Sequence, residues 1–115
     1  MTIVSTDNAE HYHWGDQCDG WHLVKTPALS IIRERVPAGG EEIRHLHRHA
    51  EQFFFVLAGV ATIEVTGTIH RINANQGIHI PAGVAHQLRN AESVELEFLV
   101  TSTPPSHGDR LIIES

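Results

Sequence analysis

Apolar and polar positions alternate along this chain with a period of two in short runs, and glycine, proline or asparagine interrupts them at intervals of about eight to twelve residues. The run Val60–Val65 alternates cleanly, with Ala61, Ile63 and Val65 on one face against Thr62 and Glu64, and Thr66, Gly67 and Thr68 predict a hairpin into Ile69–Ile72. Val94, Leu96, Phe98 and Val100 mark one face of the last long strand, with Glu95 and Glu97 on the other. In Gln52–Leu57, Gln52, Phe54 and Val56 share one face while Phe53, Phe55 and Leu57 share the opposite one. Apolar groups on both faces predict burial between two sheets or against a partner subunit.

Further strands are predicted at Trp21–Val24 and Ala28–Val36, where Arg33, Glu34 and Arg35 make the second one end polar, as at a sheet edge or dimer surface. Ile43–His47, Ile78–Ile80 and Gln87–Arg89 are shorter runs. Residues 1–20 read as an irregular arm whose aromatics, Tyr12 and Trp14, pack on the body. Residues 103–115 read as a tail broken by Pro104 and Pro105, in which Asp109 and Arg110 either form an ion pair that pins it or approach a partner's barrel mouth. No helical period longer than two turns occurs, so the chain is predicted to be one all-β domain over residues 1–115, a closed sandwich or barrel.

Composition narrows the partners. The 115 residues suffice for one core without disulfide staples, and Cys18 is the only cysteine. A net charge of −6 disfavours nucleic acid, which needs a basic surface. No apolar run approaches the ~20 residues of a membrane span, and the N-terminus has neither the basic patch nor the apolar core of a signal peptide, so a cytoplasmic protein is expected. Ten histidines are the one unusual count.

Their placement matters more than their number. In Ile43–His47 the alternation puts His45 and His47 on one face, opposite Arg44 and Leu46. His86 follows the Pro81 and Gly83 turn. Three imidazoles from neighbouring strands can hold one divalent transition metal. The segment around Trp14 to Trp21, with His11, His13 and His22, is open to reading as a lid or a second metal site, but its spacing fits no zinc pattern and aromatic packing on the barrel is the preferred expectation.

These two stretches resemble the paired motifs of the cupin superfamily. Gly39, His45, His47 and Gly59 fit the first, with Gln52 where the family usually has glutamate; Pro81, Gly83, His86 and Asn90 fit the second, with Asn75 in place of its leading glycine. Asparagine tolerates a left-handed backbone, so the Asn75 departure need not disturb the turn. The resemblance spans roughly residues 28–102. It implies a double-stranded β-helix, the jelly-roll barrel, and a metal held by His45, His47, Gln52 and His86, the metal being Mn, Fe, Ni or Zn. Strand parity favours Gln52 over Glu51 as the fourth ligand, leaves His49 on the rim, and leaves open a three-histidine site with Gln52 only nearby.

With neutral ligands the metal keeps about two positive charges, so a small oxygen-rich anion is the expected substrate. Gln52 cannot serve as a base, which leaves His79 and Tyr12 as weak candidates for moving protons. The resemblance implies a metal-dependent enzyme, dioxygenase-like by first choice, with a non-catalytic binding or sensing module as the alternative and sugar isomerase or decarboxylase behind. A homodimer is expected, as in small cupins.

Overall fold

The computed structural model describes residues 2–114. Eleven strands form: β1 Glu10–Trp14, β2 Cys18–Lys25, β3 Ser30–Val36, β4 His45–His47, β5 Glu51–Ala58, β6 Val60–Val65, β7 Thr68–Asn73, β8 Gly77–Ile80, β9 His86–Arg89, β10 Leu96–Thr103 and β11 Arg110–Ile112. No helix forms among the described residues, and none therefore is long and apolar enough to cross a membrane. The strands make a six-stranded sheet in the order β1-β2-β3-β10-β5-β8 and a five-stranded sheet in the order β11-β4-β9-β6-β7, all neighbours antiparallel. This is the predicted double-stranded β-helix.

The inward face of each strand is where the alternation places it. Phe54 and Val56 of β5, Ala61 and Ile63 of β6, Leu88 of β9 and Leu96, Phe98 and Val100 of β10 meet between the sheets as one buried cluster. Side chains of this size each contribute about 1.5–3 kcal/mol by leaving water. The opposite face of β5 is the wetter one: Phe53 is 43% exposed and stacks on Phe55.

Two ends of the chain are more ordered than their composition predicts. The arm is not irregular beyond Ala9, because β1 pairs along β2 with His11 opposite Trp21 and Tyr12 opposite Gly20. The tail likewise adds β11 beside β4. Asp109 does not pair with Arg110; its carboxylate accepts the backbone N–H groups of Arg48 (3.1 Å), His49 (2.9 Å) and Ala50 (2.9 Å) and so fastens the tail to the β4–β5 connector. Val94, expected in the last strand, lies before it and is exposed.

The motif turns are steric necessities. Gly59 has φ +81°, and a Cβ there would stand 2.4 Å from the Glu95 carbonyl oxygen. Asn75 takes φ 68°, the left-handed conformation it was expected to tolerate. Asn90, fully buried, donates to the carbonyls of Val36 (3.0 Å) and Val94 (2.8 Å) and accepts from Glu92 N–H (3.0 Å). It thereby ties the end of the second motif to the strand before the first.

Candidate metal centre

β4 and β9 are neighbours, and their register sets His45 directly opposite His86. His47, two residues on, stays on the same face. The ring centroids lie 4.8 Å apart for His45 and His47, 4.6 Å for His45 and His86, and 6.0 Å for His47 and His86. One ring nitrogen from each falls within 4.8 Å of the other two, and all three side chains are buried. The Phe54 ring packs edge-on against His86 from the facing sheet.

Backbone carbonyls set the histidine tautomers. His45 Nδ1–H donates to Ile43 O (2.6 Å) and His86 Nδ1–H donates to Val84 O (2.9 Å). Each Nε2 then keeps its lone pair, the arrangement by which an outer hydrogen bond orients a metal ligand. His86 Nε2 is buried with no partner, as is His47 Nδ1. Burial and the neighbouring imidazoles depress His45 and His47 to about 4, and burial, with the Arg44 charge behind it, lowers His86, so all three are neutral at pH 7, as ligation requires.

Gln52 reaches the same space from the other sheet. Its Nε2 donates to Ser102 Oγ (3.0 Å), which leaves Oε1 buried with no partner and free to accept a cation. Unpaired buried atoms of this kind are costly unless something binds them. Three neutral imidazoles and one amide oxygen therefore fit a divalent transition metal. Glu51 points the other way, exposed, with Oε1 2.8 Å from His79 Nε2. His79 stands outside the cavity with it, and His49 is exposed in the connector.

His45 and His47 open into a cavity of about 510 Å³ whose wall includes Ile32, Phe54, Val100, Ser102 and the tail residues Ser106, His107 and Arg110. Tyr12 lines it too, with its hydroxyl 3.5 Å from Glu34 Oε1. A row across three strands explains that reach: Tyr12 faces Gly20, and Gly20 faces Glu34. The missing side chain at Gly20 lets the tyrosine ring lie flat and extend to the carboxyl.

The cavity also holds carboxyls that reasoning from the histidine motifs alone passed over. Glu34, Glu41 and Glu42 are on its wall. Burial, reinforced by the Glu42 carboxyl, pushes Glu34 up to about 8. Burial raises Glu42 to about 7, although its Oε1 accepts the Leu88 N–H (3.0 Å). The wall thus carries carboxyls beside Tyr12, one of the two candidates for moving protons, while the other, His79, lies outside it. The signal was available: Ser30, Ile32, Glu34 and Val36 share one parity, and that is the inward one.

A two-sheet β-barrel with three buried, inward histidines defines the class as a metal-competent double-stranded β-helix. The cupin domain model matches residues 32–102, and this chain belongs to the cupin family. It is 34% identical over 100 residues to a mannose-1-phosphate guanylyltransferase of Klebsiella pneumoniae, a match covering 87% of this chain and 21% of that protein. The chain thus spans about a fifth of the length of the curated relatives it matches first.

Among solved structures, a sugar phosphate isomerase of the cupin superfamily from Silicibacter pomeroyi superposes with TM-score 0.79 at 20% identity, covering 90% of this chain and 76% of that one. A predicted oxalate decarboxylase from Thermotoga maritima gives 0.83 at 18% identity, covering 90% and 100%. At these identities the structural likeness speaks to the fold.

Proposed function

We propose that this chain is a metal-dependent isomerase of small phosphorylated sugars, interconverting an aldose and its ketose by moving a proton between adjacent carbons. The observation that carries this reading is Glu34, a carboxyl on the wall of the cavity that His45, His47 and Gln52 also line. An aldose–ketose exchange needs one group that takes the proton from C2 and returns it to C1, while the carbonyl oxygen gains a proton and the neighbouring hydroxyl loses one. Nothing is oxidised by an outside reagent, so atoms and electrons balance within the substrate.

A shuttle of this kind works best with a pKa near the working pH, and burial brings Glu34 there, at about 8. The Tyr12 hydroxyl stands 3.5 Å from it, and a small shift would bring the two into a hydrogen bond. A divalent cation held by His45, His47, His86 and Gln52 would polarise the substrate's carbonyl and hydroxyl oxygens as a Lewis acid. Arg110 and His107 at the mouth offer positive charge and donors to a phosphate. The hydroxyls and carboxyls of the wall, Ser102, Ser106 and Glu42 among them, suit a polyhydroxylated molecule better than an apolar ring.

The names of the relatives support the same substrate class: a mannose-1-phosphate guanylyltransferase and a sugar phosphate isomerase both concern sugar phosphates. The oxygen-activating alternative draws on the histidine cluster alone and gives Glu34 no task. Pairing of two copies belongs to this reading as well, supported by the exposed Phe53 stacked on Phe55. Sedimentation velocity tests it.

The test of the reaction is isomerisation in heavy water. Protein loaded with Mn, Fe, Ni or Zn is incubated with a panel of aldose and ketose phosphates and followed by proton NMR. Turnover with deuterium entering at the exchanging carbon is expected, and Glu34→Gln should keep substrate binding while losing the exchange. Binding without exchange by the loaded wild-type protein, across the panel, would mark a receptor and sink the isomerase.

A further inference from the structure

From the structure we infer a second divalent-metal site on the outer face of the six-stranded sheet, formed by His11, His13 and Asp19 and suited to Zn, Ni, Co or Cu. Alternation along β1 puts His11 and His13 side by side on the face opposite Tyr12, and the β1–β2 register sets His13 directly across from Asp19. Both rings aim at one atom. His11 Nε2 lies 2.7 Å and His13 Nδ1 3.1 Å from Asp19 Oδ1, with the two ring centroids 4.7 Å apart. One donor atom from each of the three residues falls within 4.8 Å of the others.

The carboxylate is held for this task. Arg35 Nε donates to its other oxygen, Oδ2, at 2.6 Å, while Arg35 also donates to Gln17 O (3.0 Å). Oδ1 is thereby left to the histidines, the outer-shell orientation that fixes a ligand's lone pair. Asp19 is buried, with its two oxygens shared between His11 and Arg35. His11 packs on Trp21, with ring centroids 5.1 Å apart, which limits its rotation. The aromatic packing expected from the sequence therefore occurs, and it helps to assemble the donors.

Two imidazoles and one carboxylate oxygen on one side leave the remaining coordination positions to water, since His13 is largely exposed. This donor set favours borderline transition metals over Mg or Ca. The nearby guanidinium charge weakens the attraction, so affinity on the order of micromolar is expected. Occupancy would clamp β1 to β2, and β1 is the edge strand that carries Tyr12 to the cavity wall.

The test counts metal on the whole chain. Zinc titration by calorimetry, and Cu(II) binding read by electron paramagnetic resonance, are compared between wild type and the double variant H11Q/H13Q. Both histidines are on the outer face, so the variant's metal-free circular dichroism spectrum should match wild type and certify its fold, with a somewhat lower melting temperature because Asp19 loses a partner. The variant is expected to lose one equivalent of metal and one copper signal. If wild type binds two equivalents and the variant one, the central and the outer site both stand. If wild type binds one and the variant none, the outer site stands and the central metal reading falls. Identical isotherms and spectra for the two proteins would overturn the outer site. A further arm follows amide hydrogen exchange in β1, which zinc should slow in wild type and leave unchanged in the variant.

Discussion

Gly20 holds the geometry of the cavity wall, and Gly20→Ala tests it. A Cβ at this position would stand 2.3 Å from Tyr12 Cζ and 2.6 Å from its Cε1 and hydroxyl oxygen. Carbon–carbon contacts settle near ~3.5–4.0 Å, so the ring must retreat by more than ~1 Å and the hydroxyl leaves Glu34. The free-energy balance of this change is small. Loss of ring packing costs about 1–2 kcal/mol, and relieving a strand of its glycine returns about 0.5–1 kcal/mol. Global stability is therefore a poor readout, and the ionisation of Tyr12 is a good one.

Tyr12 is the only tyrosine, so tyrosinate absorbance during alkaline titration reports it alone. Burial first, and the Glu34 carboxylate second, hold its pKa well above the ordinary tyrosine value. A folded-state pKa raised above the unfolded one stabilises the fold fully below the unfolded value of about 10, and that contribution is lost as pH rises above it. Wild type should thus resist ionisation until alkaline unfolding begins, whereas Gly20→Ala should titrate near pH ~10 as a free phenol does. Glu34→Gln should fall between the two, since it removes the charge and leaves the burial. A Gly20→Ala protein whose titration matches wild type would refute the argument, because the ring would then have stayed in place.

Asn90→Ala removes two buried donations and one acceptance, and should cost about 2–4 kcal/mol in urea denaturation; a loss under about 1 kcal/mol would mean water replaces the amide. Gln52→Glu puts a carboxylate among the histidines, and should lower the metal-free melting temperature while tightening Zn binding on the order of tenfold; unchanged affinity would remove Gln52 from the ligand set. Because His45, His47 and His86 are depressed below the unfolded value of about 6.5, their neutral forms stabilise the metal-free fold above that pH, and stability should fall progressively from there toward pH 4. Zinc should move the onset of that loss to lower pH in thermal scans, and an onset unmoved by zinc would count against ligation. Asp109→Ala should speed hydrogen exchange at the Arg48, His49 and Ala50 amides while the core strands stay protected.

Strand alternation made the central site legible because a period of two allows few errors once one face is known. The common parity of His45 and His47, and of Gln52 with Phe54 and Val56, predicts the buried face on which all of them lie. That Gln52 faces inward and Glu51 outward follows equally, since neighbours on a strand face opposite ways. What alternation alone cannot supply is pairing between distant segments. That His45 sits opposite His86, that Asp19 sits opposite His13, and that Asp109 caps the β4–β5 connector are facts of register and long-range closure. The place of His79, a weak candidate whose ring the sequence leaves free to face outward, follows from the pairing of β5 with β8, which sets it beside Glu51 outside the cavity.

Glu34 shows how charge changes the reading of the site. Neutral ligands alone would leave about two positive charges in the cavity and select anions of any kind. Glu34 and Glu42 answer that charge from the wall, and their raised pKa values mean that they answer it reversibly. A cation at the histidines would favour their ionised forms and lower both values, so a proton leaving either carboxyl is matched by positive charge nearby. On the proposed reading, such a cavity would hold a cation without a carboxylate in direct contact and would keep a carboxylate free to take a proton from the sugar. On the same reading, selection of an anionic substrate would fall to the mouth, where Arg110 stands at the start of a tail strand fastened by Asp109. Arg110→Ala should accordingly raise KM for a phosphorylated sugar by about tenfold or more while leaving kcat largely unchanged, the pattern of lost ground-state binding. Equal loss in kcat would place Arg110 with the proton transfer, and no change in either would remove phosphate recognition from the tail.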